Sequence, residues 1–185
     1  RETILNMASR MFTCRGVDST SLDEIATTLG TTKARLYKYV GDKQTLVAEC
    51  FARADRIYGY IMTCALEQGA TAQEQIVGLL RSNAMAQQHK ELQPLRYGSA
   101  VGALPASEQV RAAERLRRRN QEYTALYRAA KHERSMRDID LELFKQITPG
   151  AAAWLWKDFA KQTHDDFALV AAETTDVLRL GLRAI

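Results

Sequence analysis

Two cations stand at the beginning of a short predicted helix, where positive charge is ordinarily unfavourable. Lys33 and Arg35 lie in the first turn after Thr32, a residue type that caps helix N-termini. The helix dipole opposes cations at this end, so selection for stability alone would favour Asp or Glu. The charges are explained if the turn faces an external anion or a guanine edge, which a guanidinium binds through two hydrogen bonds. The alternative is a solvated helix face that tolerates the penalty.

Other side chains that suit contact with a polyanion surround this turn. Tyrosine hydroxyls and lysines commonly bind phosphates, which fixes the position of a protein on DNA without reading its sequence. Backbone N–H groups after Ser21 could bind another phosphate at a helix N-terminus. The tyrosines could also be half-buried residues packed against the first helix. The predicted DNA-binding residues are Thr20, Ser21, Thr32, Lys33, Ala34, Arg35, Tyr37, Lys38, Tyr39 and Lys43.

Two short helices are expected to position these residues. Ser21 and Glu24 have the spacing of a capping box, which begins a helix that ends at Gly30. The next helix follows Thr32 and runs to about Tyr39. Helices joined by so short a turn have the geometry of a helix-turn-helix, whose second helix enters the major groove. Ordinary helical bundles also contain this spacing, so it is a weak signal by itself.

The rest of the chain also has helical periodicity. Pro94 interrupts one segment, residues 98–105 form a loop, and Pro149-Gly150 disturbs a later helix. No strand and no internal repeat are indicated. The sequence therefore predicts an all-α fold of about nine helices. Besides the two short ones, helices are predicted over residues 4–15, 43–66, 72–88, 106–131, 141–159 and 165–185.

Composition agrees with a folded helical protein. Hydrophobic residues make up 46% of the 185 residues, with only ten glycines and three prolines. No apolar run approaches the ~18–20 residues that span a bilayer. The first seven residues do not resemble a signal peptide, so a cytoplasmic location is expected.

The sequence shows no catalytic or metal-binding motif. Cys14, Cys50 and Cys64 are widely spaced and form no C-x-x-C pair, which predicts small buried thiols in a reducing compartment. The three histidines lack ligand spacing, and no nucleophile elbow or phosphate-binding loop is present. We therefore expect no enzyme activity, no metal and no cofactor.

Positive charge is distributed unevenly. The net charge is +4, but residues 1–48 contribute +2 (seven Lys and Arg, five Asp and Glu) and residues 104–137 contribute +5 (nine and four). The run Arg115-Leu116-Arg117-Arg118-Arg119 could be a second nucleic-acid patch, but no interleaved aromatic residue supports that. A solvated helix face paired with Glu114 and Glu122 is the favoured interpretation.

Residues 4–47 resemble the N-terminal domain of TetR-family regulators. The resemblance covers the first helix and its closing Gly16, the segment 20–30, and the segment 32–46 that contains the recognition helix and its exit. The family usually has an aromatic-His-Phe sequence where this chain has Lys38-Tyr39-Val40, but Tyr39 can still donate to a phosphate. The resemblance implies a homodimer that binds operator DNA through residues 1–47, and a helical ligand-binding and dimerisation domain over residues 48–185.

The resemblance also implies repression that a small-molecule inducer relieves. An apolar or amphipathic effector is expected between the helix at 43–66 and the helices after it, although core packing is the commoner role for each side chain alone. Arg96 is the candidate anion-binding residue. The candidate pocket residues are Tyr58, Tyr60, Met62, Arg96, Tyr97, Trp154 and Trp156.

The last two helices are expected to form the dimer. In the predicted final helix, apolar residues at 169, 172 and 180 lie outside the main stripe that includes Val177, which suits a helix buried on two sides. The alternative is that these faces belong to the monomer core. The candidate interface residues are Ala151, Ala172, Leu178 and Leu182.

Two other classes of protein compete with a DNA-binding regulator. One is a helical small-molecule-binding protein or enzyme that keeps the fold but has lost operator binding. Lys33, Arg35, Tyr37 and Lys43 argue against it, because folding does not require them. The other is a structural adaptor without a ligand, which a C-terminal domain lacking a pocket would favour.

Overall fold

A computed structural model describes residues 1–89, 92, 94–96, 101–147, 150 and 164–182. These residues form eight α-helices and a short 3-10 helix, Val101–Ala103, with no strand among them, which confirms the all-α fold. None of the described helices is long and apolar enough to cross a membrane. The helices are α1 (Glu2–Arg15), α2 (Leu22–Thr28), α3 (Lys33–Val40), α4 (Lys43–Gln68), α5 (Ala72–Gln88), α6 (Ala106–His132), α7 (residues 141–147) and α8 (His164–Leu182).

Local capping determines where the short helices begin. The Ser21 hydroxyl accepts a hydrogen bond from the backbone N–H of Glu24 at 3.2 Å, and the Glu24 carboxylate accepts one from the Ser21 N–H at 2.7 Å. The predicted capping box of α2 is thus confirmed. Thr71 and Glu74 form a second capping box at α5, which is not among the predicted caps although its spacing is the same.

The chain divides into two compact units. The first comprises residues 1–57 and 90–117, and the second comprises residues 58–89 and 118–185, so α4 and α6 contribute to both. The first unit contains the helices around the predicted DNA-binding residues. Its fully buried side chains include Phe12, Ile25, Leu36, Leu46, Phe51 and Leu95.

A buried arginine connects three segments of the first unit. Arg53 of α4 is almost inaccessible to solvent and donates from Nε to the Glu2 carboxylate of α1 at 2.7 Å. It also donates to the backbone carbonyl of Leu92 at 2.6 Å and to the Asn6 side chain at 3.4 Å. This arginine therefore holds α1, α4 and the backbone at residue 92 together, and its charge is compensated.

The second unit contains the contact between α5 and α8. Phe167 and Ala171 of α8 are fully buried against Ala84 of α5. The Gln73 side chain of α5 donates to the backbone carbonyl of Arg179 in α8 at 3.0 Å. Both apolar burial and a hydrogen bond therefore hold α8 against α5.

Two burial predictions need correction. Cys50 is buried as expected, and burial raises the pKa of its thiol to about 12, but Cys14 is exposed and Cys64 is half-buried. The periodicity of the last helix predicts an inward position for Val177, which is instead 69% exposed. The buried side chains of α8 follow a spacing of four residues through position 175, which turns position 177 outward.

Several predictions fall outside the described residues. These include the helix predicted over 141–159 beyond residue 147, the disturbance at Pro149, and part of the loop at 98–105. The same holds for Tyr97, Ala151, Trp154 and Trp156, and for the side chain of Leu182.

Candidate nucleic-acid interface

The outward face of α3 carries most of the predicted DNA-binding side chains. Leu36 and Val40 are buried, because they lie four residues apart on the side that packs into the first unit. The remaining side chains of the helix therefore point to solvent. Tyr37 is 40% exposed and Tyr39 is 49% exposed, so neither is packed away against α1. The exposed residues of α3 are Lys33, Ala34, Arg35, Tyr37, Lys38 and Tyr39.

A tight turn joins α2 to α3. Gly30 has a φ of +63°, the left-handed region that glycine adopts without steric cost. The Thr31 N–H donates to the Ala26 carbonyl at 2.9 Å, which ends α2. The Thr32 hydroxyl then accepts from the Arg35 N–H at 3.3 Å and caps α3, as predicted. The two helices form the helix-turn-helix arrangement that the spacing predicted.

The N-terminus of α2 is less suited to a phosphate than the sequence suggested. The Glu24 carboxylate already accepts from both the backbone N–H and the hydroxyl of Ser21. The hydrogen bond from the Ser21 backbone, and next that from its side chain, lower the pKa of Glu24 below its ordinary value. A phosphate at Ser21 would therefore meet a carboxylate.

Thr20 is a correction to the predicted set. Its side chain is only 1% exposed, and its hydroxyl donates to the backbone carbonyl of Gly16 at 2.9 Å. The side chain closes the turn after α1 and has no access to DNA in this conformation. Sequence type alone could not separate this structural threonine from a surface one.

Lys33 is not a free cation. Its Nζ lies 2.8 Å from the Oδ2 of Asp23 in α2 and 5.6 Å from the centre of the Tyr37 ring. The hydrogen bond to Asp23, followed by the charge of Asp23, raises the pKa of Lys33 above its ordinary value. Sequence spacing does not indicate this partner, because the two residues are ten positions apart and meet only when α2 packs on α3.

Lys43 lies where α4 begins. Its side chain is partly buried, and its Nζ lies 3.5 Å from the backbone carbonyl of Asp18. The Asp42 carboxylate accepts from the Thr45 N–H at 2.7 Å and caps the helix. Lys43 is thus held near the turn after α1 and does not extend freely into solvent.

The four predicted pocket residues that the structure describes are divided between the two units. In the second unit, the Tyr58 hydroxyl accepts from the Gln87 side chain at 3.0 Å, and Met62 is buried. The side chain of Tyr60 lies on the surface and is 72% exposed. This exposure does not support a role for Tyr60 in lining a pocket. Arg96 belongs to the first unit, where its backbone N–H donates to the Thr13 hydroxyl at 3.3 Å.

A cavity does exist in the first unit, beside Arg53. Its volume is about 670 Å³, and none of the four predicted pocket residues that the structure describes lines it. The lining residues are Glu2, Thr3, Asn6, Arg53, Arg56, Ile57 and Leu92. Among the described residues, no group of His, Cys, Asp or Glu side chains could hold a metal ion.

The arginine run of α6 is partly paired, as the favoured interpretation holds. Arg118 lies 3.8 Å from the Glu122 carboxylate, as predicted. Arg115 differs, because it pairs with Asp55 of α4 at 3.6 Å and not with Glu114. Arg119 lies over the Tyr58 ring, 4.3 Å from its centre. Three of the four arginines thus contact other side chains of the protein.

Comparison with known proteins agrees with this arrangement. Residues 4–50 match the family described as bacterial regulatory proteins, tetR family. The matched segment, residues 4–50, belongs to the N-terminal domain of the TetR family. Over 59 residues it is 39% identical to the HTH-type transcriptional regulator AcrR of Shigella flexneri. That match covers 32% of this chain and only 27% of AcrR, so the chain corresponds to about a quarter of that relative's length.

Solved structures extend the likeness in fold to the whole chain. The TetR-family regulator PfmR of Thermus thermophilus has a TM-score of 0.75 at 21% identity, covering 97% of this chain and 98% of that one. KstR2 of Mycobacterium tuberculosis has a TM-score of 0.78 at 18% identity, with coverages of 98% and 94%. AibR, in complex with isovaleryl coenzyme A and operator DNA, has a TM-score of 0.75 at 18% identity, with coverages of 99% and 98%. At these identities the similarity to the three solved structures shows only that the fold is shared.

Proposed function

We propose that this protein is a cytoplasmic repressor of the TetR type that binds operator DNA as a homodimer and is released by a small-molecule inducer. The observation that carries the proposal is the outward face of α3. Leu36 and Val40 fix the helix in the core, while Arg35, Lys38 and Tyr39 face solvent. Cations and phenols on an exposed recognition helix suit base edges and phosphates. The proposed DNA-binding domain covers residues 1–47.

The outward face of α8 supports the homodimer. Leu169, Val177 and Leu180 are all mostly exposed, although they are large and apolar, while Phe167 and Ala171 are buried in the monomer. Large apolar side chains left open in this way, among the charged residues Glu173, Asp176 and Arg179, suit contact with a second copy of the same face across a two-fold axis. The proposed ligand-binding and dimerisation domain covers residues 48–185, and Ala172 and Leu178 are half-buried on α8.

The effector proposal has indirect support. AibR, a similar fold, was solved with both isovaleryl coenzyme A and operator DNA, so one such fold accommodates a ligand of mixed polarity and DNA. In the present chain α4 begins at Lys43, near the proposed DNA surface, and continues past Tyr58 and Met62. A ligand that favours one position of this helix would change the spacing of the recognition helices in a dimer.

Operator binding is tested with genomic fragments selected by the purified protein. Arg35→Ala should weaken binding to the selected fragment by ~1–3 kcal/mol and relax its sequence preference, because a bidentate base contact is lost. Arg128→Ala is the matched control, since it removes the same charge from an exposed position on α6. Equal affinities for wild type and Arg35→Ala, with folding intact by circular dichroism, would contradict the assignment of α3.

Effector release needs a separate experiment. A ligand found by thermal shift should lower the affinity for the selected fragment by ~1–3 kcal/mol, a typical coupling energy between two sites. The measurement is a titration of the fragment with and without saturating ligand. Equal affinities in both titrations would remove the effector from the proposal and leave Tyr58 and Met62 as packing residues.

A further inference from the structure

The cations on the outward face of α3 are of two kinds. Arg35 and Lys38 are exposed and form no ion pair with another described residue. Lys33 differs, because its ammonium group is bound by the Asp23 carboxylate at 2.8 Å. One of the three cations on this face is therefore already neutralised by the protein itself.

The pair contributes little to folding. The side chains of Lys33 and Asp23 are both more than half exposed, and ion pairs in such positions add little stability because water screens them. Asp23 also lies in the first turn of α2, where a carboxylate is compatible with the helix dipole. The pair is best explained by the neutralisation of the Lys33 charge, because Lys33 lies on the outward face of α3, which is proposed to contact DNA.

We propose that Asp23 is a specificity-determining residue that withholds Lys33 from DNA phosphates and so suppresses binding to unrelated sequences. The inference rests on the proposed operator binding. Non-specific binding comes almost entirely from lysines and arginines that neutralise phosphates and release counterions. Lys33 can join that set only if it leaves Asp23, and the carboxylate then stands unpaired beside a polyanion.

An operator complex is affected less than a non-specific one. Base contacts such as those proposed for Arg35 fix the recognition helix in one position, so Lys33 can stay paired with Asp23 in the operator complex without the loss of a phosphate contact. A non-specific complex has no such contacts. Asp23 therefore lowers affinity for mixed sequence more than affinity for the operator, and the ratio of the two affinities rises.

The test is Asp23→Asn, which keeps the size of the side chain and removes its charge. Affinity for a short duplex of mixed sequence is measured over a range of NaCl concentrations. The slope of log affinity against log salt should become steeper by ~0.9, the value for one additional phosphate contact. The ratio of variant to wild-type affinity should then rise about 3.5-fold for each fourfold dilution of salt, as that slope requires. Affinity for the selected genomic fragment should rise less.

Asp18→Asn is the matched control. Asp18 is exposed, its side chain forms no ion pair with a described cation, and the substitution changes the net charge by the same amount. The salt slope of this variant should equal that of the wild type. Lys33→Ala supplies the second control: it should leave the slope unchanged in the wild-type background and remove the added ~0.9 in the Asp23→Asn background.

The outcomes separate the inference from the proposed function. An unchanged slope in Asp23→Asn overturns the inference, as does an equal increase in Asp18→Asn or an increase that persists without Lys33. In each case binding to the genomic fragment would leave the proposed function standing. If neither the wild type nor any folded variant binds a duplex at low salt, the proposed function fails and the inference fails with it.

Discussion

Helices α3 and α8 are built on the same plan but expose different kinds of side chain. Each buries one stripe in its own unit: Leu36 and Val40 in α3, and Phe167 and Ala171 in α8. On the other side, α3 exposes cations and tyrosines, whereas α8 exposes leucine and valine side chains among the charged residues Glu173, Asp176 and Arg179. The buried stripe fixes each helix, and the exposed stripe determines the partner. A charged face suits a polyanion, and an apolar face suits another protein surface.

The largest effects are expected in the buried stripes. Phe167→Ala should lower the free energy of unfolding by ~3–5 kcal/mol and Leu36→Ala by ~2–5 kcal/mol, because each leaves a cavity in a packed core. Urea unfolding followed by circular dichroism measures both. Val110→Ala is the control, since Val110 is 62% exposed and its removal should stay within about 0.5 kcal/mol. A small loss in Phe167→Ala would mean that α8 is not held by this stripe.

The outward face of α8 should be sensitive to charge. Leu169→Glu or Val177→Glu, at side chains that are 61% and 69% exposed, should weaken dimerisation by ~2–4 kcal/mol, because an interface would bury an unpaired carboxylate. Sedimentation over a range of protein concentrations gives the dissociation constant. Val110→Glu introduces the same charge at an exposed valine of α6 and should leave it unchanged. A monomeric wild type at micromolar concentration would disprove the role assigned to this face.

Loss of a helix cap should have a smaller effect that distinguishes the two regions. Thr32→Ala removes the cap of α3 and Thr71→Ala removes the cap of α5, and each should cost about 1 kcal/mol in the free energy of unfolding. Only Thr32→Ala should also weaken binding to the selected genomic fragment, since only α3 is proposed to enter DNA. Equal binding by both variants would indicate that α3 acts elsewhere.

Local signals explain what the sequence could predict. A capping box, a glycine after a helix and a four-residue apolar spacing all act within a few positions, so the bounds of α2 and α3 and the burial of Leu36 follow from the sequence. The same signal at Thr71 was available and was missed.

Features that depend on tertiary contacts could not be predicted from the sequence. The ion pair of Lys33 forms across ten residues, and the burial of Thr20 depends on how the turn after α1 closes. Val177 faces outward because α5 covers only one side of α8, which periodicity alone does not show. The sequence does not distinguish Tyr58 from Tyr60. In the structure, the Tyr58 hydroxyl accepts a hydrogen bond from Gln87, whereas the Tyr60 side chain is mostly exposed.

The smallest effect concerns pH and the capping box of α2. Hydrogen bonds from Ser21 lower the pKa of Glu24 in the folded protein below its value in the unfolded chain. The carboxylate therefore stabilises the fold fully above the unfolded pKa, and this contribution is lost as the pH falls through the folded pKa. Glu24→Gln should be less stable than the wild type at neutral pH and equally stable in acid, where the wild-type carboxyl is protonated.

Glutamine is the informative replacement because its side-chain oxygen can still accept from Ser21, so the helix start is kept and only the charge is lost. Stability is measured by urea unfolding at a series of pH values between neutrality and the acid limit of the native state. The difference between the two proteins should shrink steadily as the pH falls. Glu24 is an exposed neighbour of the α3 surface, so the loss of its charge in Glu24→Gln should also slightly raise affinity for DNA of any sequence. Glu173→Gln, on the outward side of α8, is the control, and no change in DNA affinity is expected for it. A stability difference that stays constant across the whole pH range would mean that the charge of Glu24 is not its cause.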